Sequence, residues 1–146
     1  VTGGVEGEQG YKPQAGQVCI YYVRDGDTNI YPTDHTATRA ALQIPANTAD
    51  QDVFVFAPIE NSVTIGIGGL VPNTQAMRSA IESNLRAYIV DFVGFEQSFT
   101  TDQVRAAVAL TRDASGARPE SFSVTTGDFA GQSGTLITLN TVVFGV

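Results

Sequence analysis

The chain has 146 residues, 42% of them hydrophobic, enough to fold as one ordinary domain or two small subdomains without disulfide or metal staples. Its net charge is −7, and its eight basic residues (Lys12, Arg24, Arg39, Arg78, Arg86, Arg105, Arg112 and Arg118) are scattered singly. That leaves no cationic stripe to displace counterions from phosphates, which excludes nucleic acid, and no apolar run approaches the ~18 residues of a membrane span.

The glycine-rich opening VTGGVEGEQG makes residues 1–15 a flexible start or a cut end, so the chain reads as a piece of something longer. No signal peptide is recognised there. QVCIYYV (17–23) is rich in β-formers and bounded by Gly16 and by Asp25-Gly26, which predicts a strand. Cys19 is the single cysteine and cannot close an intrachain disulfide; a buried structural thiol is expected.

After Pro32, Thr33 and Asp34 supply a cap and a negative charge for a short helix. Ala37, Ala40, Ala41 and Ile44 share one face of it, and Pro45 ends it. In QDVFVFAPIENSVTIGIGG, the run from Val53 to Ala57 is apolar on both faces, as in a central strand. Pro58 breaks it, Glu60-Asn61-Ser62 bends the chain, and Val63, Ile65 and Ile67 then point one way along a second strand.

PNTQAMRSAIESNLRAYIVDF gives the strongest helix. Met77, Ile81, Leu85, Tyr88 and Phe92 recur at spacings of four, four, three and four, and Asn73 or Thr74 caps the start. In FTTDQVRAAVAL, Thr100 and Gln103 have the spacing of a capping box, with Phe99 placed to staple onto Val104. Val104, Ala107, Val108 and Thr111 form the inner face of that helix. RDASGARPE is a turn, SFSVTT a strand and GDFAGQSG a flexible polar loop. TLITLNTVVFGV reads as a strand ending near Asn140 followed by a last strand.

The fold class expected is α+β: sheets with helices packed on one face, as two small α/β sandwich subdomains sharing a long central helix. Residues 16–98 (β-α-β-β-α) would form the first subdomain and residues 99–146 (α-β-β) the second.

In RDGDTN, Asp25, Asp27 and Asn29 alternate like the first ligands of a calcium loop. The sixth and twelfth places, which need Gly and Glu, hold Ile30 and Thr36, so Asp25-Gly26 is read as a turn. His35 is the sole histidine, at the start of a short helix, with no nucleophile motif near it. Gly66-Ile67-Gly68-Gly69 lacks the spacing of a dinucleotide loop and the lysine of a P-loop, and is read as a connecting turn. Glu60, Asp91, Glu96, Asp102 and Asp113 fall at element ends, where turns and helix dipoles account for them. No catalytic, cofactor-binding or metal-binding residue is assigned, no cofactor is expected, and the chain is not read as an enzyme.

Several of these segments, in order, resemble the C-terminal half of the baseplate J-like family, structural proteins of phage Mu-type contractile tails and related injection machines. GQVCIYYVRDGDTNIYPTD is similar to the family's Gly-x-Val strand and Asp-rich turn. TRAALQIPANTADQDVFVFAPIENSVTIGI resembles its helix, its Pro-Ala-Thr-Ala-like link, a strand ending in Ala-Pro and a Val-x-Ile-x-Ile strand. PNTQAMRSAIESNLRAYI is similar to its amphipathic helix, TTDQVRAAV to the helix of its last unit, and TLITLNTVVFGV to its closing turn and strand. The resemblance covers about 130 residues from Gly16. It departs at Ile44, which stands where the family usually has arginine, and in lacking the family's N-terminal region.

The resemblance implies a fragment of a wedge protein that acts through protein–protein interfaces in baseplate assembly and rearrangement. Its partners would be other wedge and tail proteins, with self-association also open, and not membrane or a small-molecule substrate. Its place would be the virion, after assembly in the bacterial host cytoplasm. The contact surfaces expected are GDFAGQSG, the Asp25 turn and the exposed side of the Asn73–Phe92 helix. The alternative is a small-molecule-binding or enzymatic α+β domain without a recognisable motif.

Overall fold

A computed structural model describes residues 18–23, 36–38, 40–41 and 53–145, and the elements follow the expected α+β order. The strands are β1 (Val18–Tyr21), β2 (Val53–Phe56), β3 (Ile59–Val71), β4 (Ser121–Val124) and β5 (Thr135–Phe144). Between β3 and β4 lie the helices α1 (Gln75–Phe92) and α2 (Thr101–Ala109). Residues 36–38 and 40–41 are helical, as the Ala37–Ala41 pattern requires. The proposed caps Thr33 and Asp34, His35, Ile44, Pro45 and the Asp25 turn lie outside the described residues, as do residues 1–15.

Chain contacts divide the protein into two compact units, Val1–Ile59 with Ser133–Thr135, and Glu60–Gln132 with Leu136–Val146. The division falls at Glu60 and not at the expected 98/99. The physical reason is the second unit's sheet, in which β3 is hydrogen-bonded to both β4 and β5, so residues from either side of 98/99 share one core. Helix α1, expected to be shared between subdomains, lies wholly in the second unit.

In the first unit β1 and β2 pair in parallel, Val18 opposite Val53 through Tyr21 opposite Phe56. The Tyr22 amide continues the pairing onto the Phe56 carbonyl at 3.1 Å. Among the described residues β1 is the one strand partner of β2, which was expected to be central. Val55 and Phe56 are fully buried, and the Tyr21 and Phe56 rings lie 5.2 Å apart. Cys19 is half-buried, less enclosed than the sequence reading required.

The second unit is a three-stranded sheet, order β4-β3-β5, whose helices cover one face. Val63, Ile65, Ile67 and Leu70 of β3 join Met77, Ile81, Leu85 and Ile89 of α1, Val104, Ala107 and Val108 of α2, and Ile137, Leu139 and Val142 of β5 in one buried cluster. Ser62 and Thr64 of β3 and Ser121 and Ser123 of β4 are exposed on the other face. Strand β4 runs antiparallel to β3. Glu60 bonds to Thr138, Thr64 to Asn140, and Ile67 to Gly145, an ascending series along both chains that makes β5 parallel to β3.

Strand β3 runs continuously through Glu60-Asn61-Ser62 and through Gly66–Gly69, so both expected turns are strand instead. Its pairing with β4 slips between Gly68 and Val71, where Gly69 takes φ +60°. A glycine in the left-handed region beside one extra residue is bulge geometry. The bulge shifts the alternation, which is why Ile67 and Leu70, three apart, both face the core.

Strand β5 is likewise one strand where two were expected, and Asn140 marks a slip in its alternation. Leu139 and Val142 are buried, while Asn140 and Thr141 between them are both exposed.

The helices follow their local signals. Thr74 caps α1, its Oγ1 accepting from the Met77 amide at 3.1 Å. Thr100 and Gln103 form the full capping box: the Gln103 amide donates to Thr100 Oγ1 at 3.3 Å, and the Thr100 amide donates to Gln103 Oε1 at 2.9 Å. Phe99 and Val104 are both buried, and the predicted inner face of Val104, Ala107, Val108 and Thr111 is buried throughout.

Candidate interaction surface

Helix α1 departs from its expected stripe in the last two turns. Met77, Ile81, Leu85 and Ile89 are buried at a constant spacing of four, and Val93 after the helix extends the series. Tyr88 is half-buried and Phe92 is 64% exposed. A spacing of four advances about 40° per step around a helix of 3.6 residues per turn. The buried line therefore drifts toward Ile89 and carries Phe92 out of the core. Phe92 packs instead on the Tyr88 ring, centroids 4.9 Å apart, and Tyr88 rests on buried Phe99 at 6.0 Å. This aromatic row runs from the core to the surface.

Val90, on the same turns, is 83% exposed, and Leu110 just after α2 is 72% exposed. No polar group on either side chain compensates that exposure, and exposed apolar surface of this kind is where partners gain most by excluding water. Val90 and Leu110 escaped the sequence reading because a periodicity that scores buried positions does not flag the apolar residues it leaves outside. Val71 and Val143 are exposed as well, at the ends of β3 and β5.

The rest of α1 is tied inward by polar contacts. Asn84 Nδ2 donates to the Ala107 carbonyl at 2.6 Å and to Thr111 Oγ1 at 3.0 Å, joining the two helices. Arg86 donates to the Leu139 and Asn140 carbonyls of β5 at 2.6 and 2.9 Å, and also to Glu82 at 2.9 Å. Toward the start of the helix Gln75 and Ser79 are exposed, and Arg78 donates to Asn73 Oδ1 and Gln75 Oε1.

Within GDFAGQSG, residues 127–131 are pinned and not a free loop. Phe129 and Phe99 exchange backbone hydrogen bonds, both 2.9 Å. The Thr101 amide donates to Asp128 Oδ1 at 2.7 Å, and the Gly131 amide donates to Ser98 Oγ at 2.8 Å. A side chain at Gly131 would overlap the Glu96 carbonyl, so only glycine lets the two backbones approach so closely. The Thr101 amide, with the Thr101 hydroxyl after it, holds the Asp128 carboxyl below its usual value. Gly127, Asp128 and Ala130 are exposed, while Phe129 packs against the core.

Three of the scattered carboxylates, Glu60, Asp102 and Asp113, keep structural partners. Glu60 Oε1 accepts from the Thr138 hydroxyl at 2.7 Å, and Asp102 pairs with Arg105 at 3.2 Å. Asp113 shapes the turn after α2: its Oδ1 accepts from the Ser115 hydroxyl at 2.6 Å and from the Ser115 and Ala117 amides at 2.9 and 3.0 Å. The Ser115 hydroxyl is the main cause of its lowered pKa, with those amides and that of Gly116 adding to it.

Among the described residues no three His, Cys, Asp or Glu side chains gather as metal ligands would, and no helix is long and apolar enough to cross a membrane. No family model matches the chain, and no curated protein is significantly similar to it.

Proposed function

We propose that this chain is a structural fragment of a contractile-tail baseplate wedge protein, working through protein–protein contacts in baseplate assembly and rearrangement. Its partners are other wedge and tail proteins, its place is the virion tail, and it performs no catalysis. The observation that carries the reading is the exposure of Val90 and Phe92, on either side of Asp91 near the end of α1, on a helix whose inner face fills the core. Exposed apolar side chains of this kind are what the centre of an interface buries. The ordered resemblance of the chain's segments to the baseplate J-like family supplies the kind of assembly.

The test is localisation. An antibody raised to the chain is applied to sedimented particles from its source and read by immunogold electron microscopy. Label at one end of contractile tail-like particles supports the proposal. Antigen confined to the soluble fraction overturns it and turns attention to a small-molecule ligand, whose binding would raise the thermal midpoint.

A further inference from the structure

We draw no further inference here: the strongest candidate, the exposed apolar patch of Val90 and Phe92 at the C-terminal end of α1, belongs to the surface already described, and nothing in the structure shows what covers it.

Discussion

Arg86 grips the backbone of Leu139, 53 residues further along the chain, with Nη1 2.6 Å from the carbonyl oxygen. The other arm of the same guanidinium reaches the Asn140 carbonyl at 2.9 Å. Two successive carbonyls of a regular strand point to opposite sides, so one side chain meets both only where the strand is irregular. That place is the slip between Leu139 and Val142, and the arginine fork supplies donors there that the ladder does not.

Arg86→Ala is therefore expected to destabilise the second unit by about 1 to 2 kcal/mol in urea unfolding, the range of a charge-assisted bond discounted for partial exposure. Faster amide exchange confined to residues near Asn140 should accompany it. Arg86→Lys should recover little, because an ammonium is not a planar fork. Glu82→Gln should change stability by less than about 0.5 kcal/mol, since the Glu82–Arg86 pair is an exposed i,i+4 bridge. Equal losses from Glu82→Gln and Arg86→Ala would show that the ion pair, and not the strand contact, matters.

The glycines divide by what a methyl group would strike. At Gly131 it would meet the Glu96 carbonyl, and backbone has no rotamer to escape into. Gly131→Ala should cost about 2 to 3 kcal/mol, in the range of overpacking. At Gly66 the obstacle is the Thr125 hydroxyl, while Thr125 Cβ lies at an ordinary 3.5 Å. Gly66→Ala should cost about 1 kcal/mol on its own and nothing in a Thr125→Ala background, where alanine suits a strand better than glycine. Chemical denaturation of the two single variants and the pair measures this coupling.

The cap of α2 should behave as its geometry states. Thr100→Ala loses the acceptor for the Gln103 amide and is expected to cost about 1 kcal/mol, while Thr100→Ser keeps most of it. Thermal unfolding of the three proteins at matched pH is the measurement.

Acid should loosen the same region. Asp113 and Asp128 have folded pKa values below the ordinary aspartate value because their carboxylates accept hydrogen bonds. The folded state thus binds these protons less readily than the unfolded chain. Their contribution is fully present above the unfolded value of about 3.9 and disappears as pH falls through the lower folded values. The wild type should lose stability between about pH 5 and pH 2, and Asp113→Asn with Asp128→Asn should flatten that dependence. An unchanged pH profile in the double variant would show that other carboxylates set the acid limb.

The proposed interface predicts a separation of stability from assembly. Val90→Lys and Leu110→Lys place charges on side chains that are already largely exposed, so unfolding free energy should move by no more than about 0.5 kcal/mol. Incorporation of the Val90→Lys chain into tail-like particles should nevertheless fall steeply, because a charge at the centre of an apolar contact must be desolvated on docking. Normal incorporation would remove the end of α1 from the interface. Phe92→Ala is a poorer probe, since it also loses the Tyr88 stacking.

Elements with complete local signals were legible in the sequence, and those completed by a distant partner were not. Thr100 and Gln103, three residues apart, sufficed to place the start of α2, and three apolar positions with Thr111 sufficed for its inner face. Alternation sufficed for β4, and proline and alanine spacing for the helical residues near Ala37. The candidate surface is legible only as one side of a helix: the exposed side of α1 is expected to make contacts, but the apolar spacing places Phe92 in the core and does not flag Val90.

Tertiary structure decided the rest, through contacts between residues far apart in sequence. Glu60-Asn61-Ser62 and Gly66–Gly69 carry turn-like composition, yet they are strand because a distant strand lies beside each, β5 next to Glu60 and β4 next to Gly66–Gly69. Gly66 and Gly68 even suit the site, since Thr125 and Ser123 occupy the space their side chains would fill. Asn140 has the composition of a strand end, but Arg86 binds the carbonyls there and the strand runs on. Local chemistry determines where a helix begins or a turn is easy; whether a strand continues depends on the neighbour that takes up its hydrogen bonds, and that neighbour is chosen only when the chain has folded.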